Sequence, residues 1–553
     1  MSANDRLLPV RVELDAVPIA QRMISALRNP DRYPADDFPP GTERPAQLDV
    51  LETHISWVLL AGVHAYKLKK PVHMAFLDFT RLDERRFFCE EELRLNRRTA
   101  RELYLDLVPV TGTCDAPQMG GDGPPIDYAV RMLRFPQEAL LDGLARQGKL
   151  RLETVESLGE AVARFHRGLP ALEDGASYAT PSQVRDDAVR NLAELQAQDV
   201  PAMQEDVRQL LDWTRWQSKS LAGVFASRRG QGFVRECHGD LHLRNIVMWK
   251  GEPIPFDCIE FNPSFRWIDV MNEVAFLHMD LEAHGLPGHA FRFLNRYLEA
   301  TGDYEGLSLL RFYVAYRALV RAKVACIRKD QPGADAQTVN QSEQESLGYV
   351  AFAKRSTLRR RGAIVLMYGL SGSGKTTVAK GLASAVHAVH LRSDIERKRL
   401  HGLDAGARTS SDVEEGIYSG RDTERTYSRL DQLARQVVDA GYRVIVDATF
   451  LTRTHRALFR LSALEKGVPF LIVACEAPEE LLRARVAIRA QQSTDASEAG
   501  LAVLEHQLAS LVPIGEEEAP YVIRVDSRDL AAAVAFAAAE VCGAASRQHA
   551  WTS

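Results

Sequence analysis

Extended runs dominate the first part of the chain. From Ile55 to Lys70, ISWVLLAGVHAYKLKK reads as two strands broken at Gly62, and the DERRFFCEEELRLNRRTA that follows spaces its apolar residues as an amphipathic helix. LYLDLVPV and DYAVRMLRF are two further short β-rich runs, separated by a turn-rich stretch from Gly112 to Pro125, so a small antiparallel sheet with one helix is predicted. After Pro136 the period changes. Residues 137–228 and about 268–328 repeat Leu and Ala at three- and four-residue spacing, as helices do, and the second block ends in LSLLRFYVAYRALVRAKVACIRK. Between them lies a short β/loop region, 233–265, that carries most of the interesting polar residues. The polar DQPGADAQTVNQSEQES, 330–346, reads as a loop, and one more helix follows it.

From Ala363 the order becomes apolar strand (AIVLMYG), Gly-rich turn, helix, strand (AVHLR), helices, strand (YRVIVDAT), helix, strand (PFLIVAC), helix and a last strand near Tyr521 to Val525. Strands alternating with helices predict a parallel α/β sheet. The expected division is an N-terminal extension over 1–45, a first domain over 46–355 with its break at 135/136, a second domain over 362–530, and a C-terminal helix and tail over 531–553. The fold class is therefore multi-domain, α+β followed by α/β, with no repeat relating the two parts.

Composition narrows the function. A chain of 553 residues, 46% apolar and 26% charged, has material for several cores and excludes wholesale disorder. A net charge of −5 supplies no global attraction to nucleic acid or to anionic membranes. Seven cysteines scattered singly, without a CxxC pair, read as reduced thiols. The N-terminus has no secretory pattern and Leu530 to Ala539 is too short an apolar run to span a bilayer, so a cytoplasmic protein without membrane partners is expected.

Gly369-Leu-Ser371-Gly372-Ser373-Gly374-Lys375-Thr376 follows an apolar strand and opens a helical stretch from Thr377, which is the setting of a phosphate-binding P-loop. Glycines let backbone N–H groups turn inward around phosphate oxygens, Lys375 neutralises β/γ charge and Thr376 is the expected Mg²⁺ ligand. Asp394, after the second strand, can position or deprotonate a substrate hydroxyl, and Asp447, ending YRVIVDATF, can hold the metal shell; the two roles are exchangeable. Arg485 and Arg489, at i and i+4, are placed to close over a transferring phosphate, with Arg483 the bystander. This part, roughly 363–530, resembles the small P-loop kinases of the gluconate kinase, polynucleotide kinase and zeta-toxin type.

The second chemical signature is His238-Gly-Asp240-Leu-His242-Leu-Arg-Asn245, followed by Pro255-Phe-Asp257. A carboxylate with an amide five residues on and a second carboxylate twelve beyond that suits phosphotransfer: Asp240 orients the acceptor hydroxyl as base, while Asn245 and Asp257 offer hard oxygens to Mg²⁺ bridging ATP phosphates. HGDxHxxN resembles the loop of the aminoglycoside phosphotransferase and choline kinase-like families. That resemblance implies a bilobal protein-kinase-like fold, with N-lobe 46–135 and C-lobe 136–355. It also implies an ATP-anchoring lysine paired with a helix glutamate. Lys67 and Lys69 are candidates, on one face of their strand, as are Glu90, Glu91 and Glu92; Lys67 with Glu91 is favoured. The resemblance further implies adenine binding through backbone near Met132, a bracing His238, a His242 that touches phosphate or substrate, and an Asp269 that bonds the catalytic-loop backbone, an N-cap being the alternative. No GxGxxG precedes Lys67, which argues against a protein kinase more than against a kinase.

The expected function is a bifunctional ATP- and Mg²⁺-dependent phosphotransferase, each half acting on a hydroxyl of a small molecule: a sugar, polyol, amino alcohol or aminoglycoside-like compound. Glu273, Asp280 and Glu282 are acidic residues that could meet a cationic acceptor. Two alternatives stand beside it. One half is an ATP-sensing module, or the C-terminal half is a polynucleotide-end or nucleotide-sugar kinase of toxin type.

Overall fold

The computed structural model describes residues 16–41, 44–74, 77–331, 333–358, 362–404, 407, 419–492 and 500–547. The basic run 359–361 lies outside them. The chain divides into two compact units, the first made of the described residues of Met1–Leu150, Gly168–Leu277 and Leu319–Gly348, the second of those of Arg151–Arg167, His278–Ala318 and Tyr349–Ser553. No described helix is long and apolar enough to cross a membrane.

In the first unit a six-stranded antiparallel sheet runs in the order Asp49–Glu52, Ser56–Ala61, His64–Lys69, Asp127–Leu133, Tyr104–Gly112, Pro117–Met119. Strand alternation sorts its two faces. Tyr66 and Leu68 point into one core together with Trp57, Leu59 and Ala129, and helix Ala16–Leu27 closes that core with Met23, Ile24 and Leu27. The residues expected as an extension thus supply part of the N-terminal core. Asp37, fully buried, accepts from the Tyr66 hydroxyl at 2.8 Å and lies 2.7 Å from His64 Nδ1. Gly62 turns between two strands at φ +57°, where a Cβ would lie 1.8 Å from the Asp37 carbonyl oxygen, so only glycine fits. On the opposite face helix Leu82–Asn96 packs Cys89 and Leu93 against Ala65, Val130 and Met132.

The polar stretch read as a loop is helical from Ala336, in a helix that runs to Thr357. Asp335 caps it, accepting from Thr338 N–H at 2.7 Å, and Ser342 and Ser346 are fully buried. Small hydroxyl residues on the packed side and charged ones outside hide the amphipathic period from an apolar count.

The second unit is built on five parallel strands in the order Ala388–Arg392, Arg443–Asp447, Ala363–Tyr368, Phe470–Glu476, Val522–Asp526. Nearly every residue of the three central strands is buried, as a sheet covered on both faces requires. Helix Leu530–Arg547 belongs to this core, burying Ala533, Ala537 and Val541 with Val378 and Leu382. At the sheet edge, helix Pro287–Thr301 presents Asn295 as a substitute strand: its amide donates to Ala388 O at 2.9 Å and its oxygen accepts from His390 N–H at 2.9 Å. That satisfies two edge groups that would otherwise seek another strand.

Candidate functional site

In the first unit, the sheet face that packs on helix Leu82–Asn96 also carries Lys67 and Lys69. Lys67 Nζ lies 2.8 Å from Glu92 Oε1 and 2.5 Å from Asp257 Oδ1. Lys69, fully buried, joins Glu92 to Glu260. The helix partner is therefore Glu92 and not Glu91, which instead pairs with Arg94 at 2.8 Å and Arg266 at 3.4 Å. The reason is helical phase: Arg85, Cys89, Glu92 and Asn96 share the buried face. Asn96 shows what that face is for, since its Oδ1 accepts from Cys258 N–H at 2.9 Å, beside the metal-ligand candidate Asp257.

Burial works against both members of the central pair. It acts to raise Glu92, but the charges of Lys67 and Lys69 overcome it and bring the carboxyl down to about 2. Burial likewise opposes the Lys67 charge, yet Asp257, Glu92 and Glu260 hold its pKa well above the ordinary value. A depressed carboxyl contributes stability above its unfolded value, near 4.5, and that contribution is lost as pH falls toward about 2. We expect the urea midpoint of the chain to drop across this window. In Glu92→Gln it starts lower at neutral pH and falls less over the same range; equal pH slopes for the two chains would show that Glu92 carries no such linkage.

The catalytic-loop candidates gather from three segments. His238 Nε2 lies 2.8 Å from Phe256 O, and burial lowers its pKa. Gly239 sits at φ +87°, where a Cβ would lie 2.8 Å from Phe265 O. Its N–H donates to Glu273 at 2.7 Å. Asn245 Nδ2 donates to Asp240 Oδ2 at 2.9 Å and to its carbonyl at 3.1 Å, and Phe256 N–H donates to Asn245 O at 2.9 Å. Asp257, non-glycine at φ +62°, turns sharply; its N–H donates to the Tyr104 hydroxyl at 3.1 Å and its carboxylate remains 42% exposed. Strain of that kind is concentrated where a side chain must be aimed.

Asp240 is held below the ordinary aspartate range. Burial would raise it, but His242, whose Nε2 is 3.3 Å from Oδ2, and the charge of Arg321 prevail. Asp269 does not bond the loop backbone. It forms a buried two-point pair with Arg228 at 2.8 and 2.9 Å and accepts from Met271 N–H at 2.8 Å, which is the capping alternative. Glu273, fully buried in the first turn of helix Val270–Ala283, does the loop bonding instead. The available signal was a carboxylate four residues after Asp269 in WIDVMNEVAFL. Asp280 and Glu282 lie near histidines, 3.7 Å from His284 and His278 respectively. Met132 is buried in its strand, in register with Ala65 and Tyr104.

In the second unit the P-loop joins strand Ala363–Tyr368 to helix Lys375–Ala385. Gly369, Gly372 and Gly374 take φ of +146°, +81° and +79°. At Gly372 a Cβ would lie 2.6 Å from Leu482 O, so the close approach of helix Glu479–Gln492 requires the glycine. Ser371 N–H donates to Gln507 Oε1 at 2.8 Å, a buttress that no motif announced. Lys375 Nζ donates to Leu370 O at 2.7 Å, and the buried Ser373 hydroxyl makes no protein hydrogen bond. Thr376 is half-buried and Thr377 is exposed beside it.

Asp447 stands at the C-terminal end of its strand, in register with Met367 and Arg392. Burial would raise its carboxyl, but His390, 3.4 Å away, together with Arg392 and Lys375 lowers it, so it is ionised as a metal-shell carboxylate must be. Asp394 is in the first turn of helix Ser393–Leu400, directly after the edge strand. Arg485 reaches the P-loop, but the structure commits its donors to Ser527 O at 2.8 Å and Gly372 O at 3.4 Å, which makes it a support for the loop. The Arg489 side chain lies outside the described residues. Arg483 pairs with Glu479 and Glu505. A cleft of about 320 Å³ opens beside Thr376, lined also by Lys380, His390, Arg392, Glu156 and Glu299.

Comparisons with known proteins give the following similarities. Residues 364–514 match the family model described as AAA domain. The uncharacterized protein Rv2004c of Mycobacterium tuberculosis is 31% identical over 469 residues, covering 83% of this chain and 90% of that protein. An adenylyl-sulfate kinase of Myxococcus xanthus is 31% identical over 127 residues, 23% of this chain and 64% of that enzyme. Among solved structures, a choline/ethanolamine kinase family protein from Mesorhizobium loti is 13% identical with a TM-score of 0.35, covering 60% of this chain and 99% of its own. A gluconokinase from Sinorhizobium meliloti is 23% identical with a TM-score of 0.26, covering 35% and 100%.

Proposed function

For this chain, which belongs to the family of the Mycobacterium tuberculosis protein Rv2004c, we propose two separate sites of ATP-dependent phosphotransfer in one polypeptide, each taking a small-molecule alcohol as acceptor. The first half, 46–355, works through Asp240 and the second, 362–530, through the P-loop. The observation that carries the reading is convergence: Lys67 bonds Asp257 from 190 positions away, and Asp257 follows Phe256, whose N–H donates to the carbonyl of Asn245, the residue bonded to Asp240.

Residue chemistry supports a positioning mechanism. An Asp240 held below its ordinary pKa is a weak base, suited to accept the hydroxyl's hydrogen bond, aim its oxygen at the γ-phosphorus and take the proton late. Lys67 turns from Asp257 toward the nucleotide phosphates while Glu92 keeps its ammonium in place. With Asn245 Nδ2 committed to Asp240, Asn245 Oδ1 and the Asp257 carboxylate form a hard-oxygen pair that fits Mg²⁺. In the second half Thr376 and the ionised Asp447 are the matching pair. Bound there, Mg²⁺ would neutralise developing phosphate charge. The P-loop N–H groups and Lys375 hold the nucleotide, and Asp394 is the residue nearest in role to Asp240.

The test is stoichiometry with transfer. Titrated with AMP-PNP and Mg²⁺, the full chain takes up two equivalents, and γ-labelled ATP incubated with a metabolite extract yields labelled phosphate esters. Uptake of a single equivalent, or label released only as inorganic phosphate, would defeat the reading.

A further inference from the structure

Asp394 stands where strand Ala388–Arg392 passes into helix Ser393–Leu400, and both of those elements are fastened to helix Pro287–Thr301. All three lie in the second unit, yet the fastening helix comes from the stretch assigned to the first half, 46–355. Its seat is extensive. Phe291 stacks on His387 with ring centroids 5.7 Å apart and an interplanar angle of 26°, and Arg292 Nε donates to Ser384 Oγ at 3.0 Å. The buried Asn295 bridges Ala388 O and His390 N–H at 2.9 Å each. Those two bonds copy what one residue of a neighbouring parallel strand would supply, a donor to one carbonyl and an acceptor for the N–H two positions on, so they fix the strand along its own axis.

Beyond Asp394 the same helix takes hold again. Arg399 Nη2 donates to Glu299 O at 2.5 Å, in the last turn, where carbonyls lack partners within the helix and a cation is favoured. Gly302 ends that helix at φ +76°, and a Cβ there would lie 2.8 Å from Arg399 Nε, so the glycine makes room for the crossing guanidinium. Glu299 also lies 3.8 Å from Nδ1 of His390, the residue that faces Asp447. Helix Ser393–Leu400 further meets helix Gly420–Asp439, with Arg397 donating to Thr423 Oγ1 at 3.3 Å and Glu396 lying 3.7 Å from Arg429. Asp394 takes part in none of these contacts. It stands half-buried in the first turn, between the Asn295 anchor and the Arg399 anchor.

We propose that Asn295 is a positioning residue for the second phosphotransfer: by fixing strand Ala388–Arg392 at the sheet edge, with Arg399 fixing the helix beyond, it aims Asp394 at the acceptor hydroxyl. The second site is thereby completed by a helix from outside 362–530, and that stretch does not contain the site whole. This rests on the phosphotransfer reading above and adds to it a residue that no P-loop motif includes. Aim matters, because a displacement of about 1 Å caused by a distant substitution can slow a reaction about 100-fold.

The experiment uses the full chain carrying Asp240→Asn, so that only the second half turns over, with γ-labelled ATP, Mg²⁺ and a metabolite extract as the acceptor pool. Asn295→Leu, of nearly the same volume without the amide, is expected to lower the rate of ester labelling at saturating extract about 10- to 100-fold. Calorimetry with AMP-PNP and Mg²⁺ shows both equivalents within about twofold of the parent, as loss of an interaction made only in the reaction requires. The effect runs through Asp394, so in a chain already carrying Asp394→Asn the added Asn295→Leu changes the labelling rate by less than about twofold. Amide exchange quickens over 388–400 and not through the rest of the second unit, which separates a lost anchor from general unfolding. Arg399→Gln, at the other anchor, lowers the rate in the same way, and Arg399→Lys, which can still donate to the Glu299 carbonyl, recovers part of it. Undiminished labelling in Asn295→Leu, AMP-PNP binding weakened as much as the rate, or equal losses with and without Asp394→Asn overturns the proposal. If Asn295→Leu does not fold, undiminished labelling in Arg399→Gln overturns it. Absence of labelled esters from the Asp240→Asn parent would instead fell the phosphotransfer reading of the second half.

Discussion

Asp240→Asn in the full chain lowers phosphoryl transfer at the first site by about 10²–10⁴-fold, the usual contribution of a positioned acid–base group. The substitution is close to isosteric, so the loop keeps its shape through His238, Glu273 and the Asn245 contact to the residue-240 carbonyl. What changes is the acceptor character of the side chain. Asp240 Oδ2 now receives the Asn245 amide at 2.9 Å and faces His242; a carboxamide placed there cannot accept a hydroxyl proton, and one of its ends presents N–H where only acceptors are wanted. AMP-PNP affinity should stay within about twofold, because the proposed reading assigns the nucleotide to Lys67, Asn245 and Asp257 and not to Asp240. Products formed at the P-loop should persist undiminished. Unchanged turnover in this variant would remove Asp240 from the chemistry, and loss of both product classes would show that the two sites do not work independently.

Lys375→Ala has its largest effect on binding. In the structure the ammonium is 9% exposed and rests on the Leu370 carbonyl at 2.7 Å, within the loop whose glycines free the backbone donors. On nucleotide binding it exchanges this neutral acceptor for phosphate oxygens, and a hydrogen bond to a charged partner is worth about 1.5–3 kcal/mol. Calorimetry should therefore show one of the two AMP-PNP equivalents weakened by about 10- to 100-fold, since each 1.4 kcal/mol is tenfold. The phosphate esters made by the second half should vanish while the Asp240-dependent ones remain. Two equally tight nucleotides in this variant would mean the loop binds phosphate without its lysine.

Local chemistry was legible wherever one stretch of chain carries the whole requirement. The P-loop is such a stretch: the strand before it, glycines at positive φ and the helix after it are contiguous, so the motif predicts its own geometry. The loop from His238 to Asn245 is another contiguous motif, although the Asn245 contact with Asp240 was not among the roles its spacing predicted. Helix phase was less legible. Three consecutive glutamates offer each possible facing, and only packing of Cys89 and Leu93 on the sheet selects Glu92. The same holds for Lys69. Its strand neighbours place it beside Lys67, yet its full burial between Glu92 and Glu260 depends on a residue 191 positions away.

The amino-acid order by itself determined the two phosphate-handling motifs, the antiparallel and parallel strand classes and the identity of the principal charged residues, because periodicity and turn chemistry act over a few neighbouring positions. Only the tertiary structure decided which groups stand against one another. It gave Glu273 the loop bond expected of Asp269, tied Arg485 to the P-loop backbone, set Asn295 along a sheet edge and brought Arg321 against His242 and Glu345. These pairings join residues far apart along the chain. Their energies depend on distance and burial in three dimensions, and no local pattern encodes either quantity.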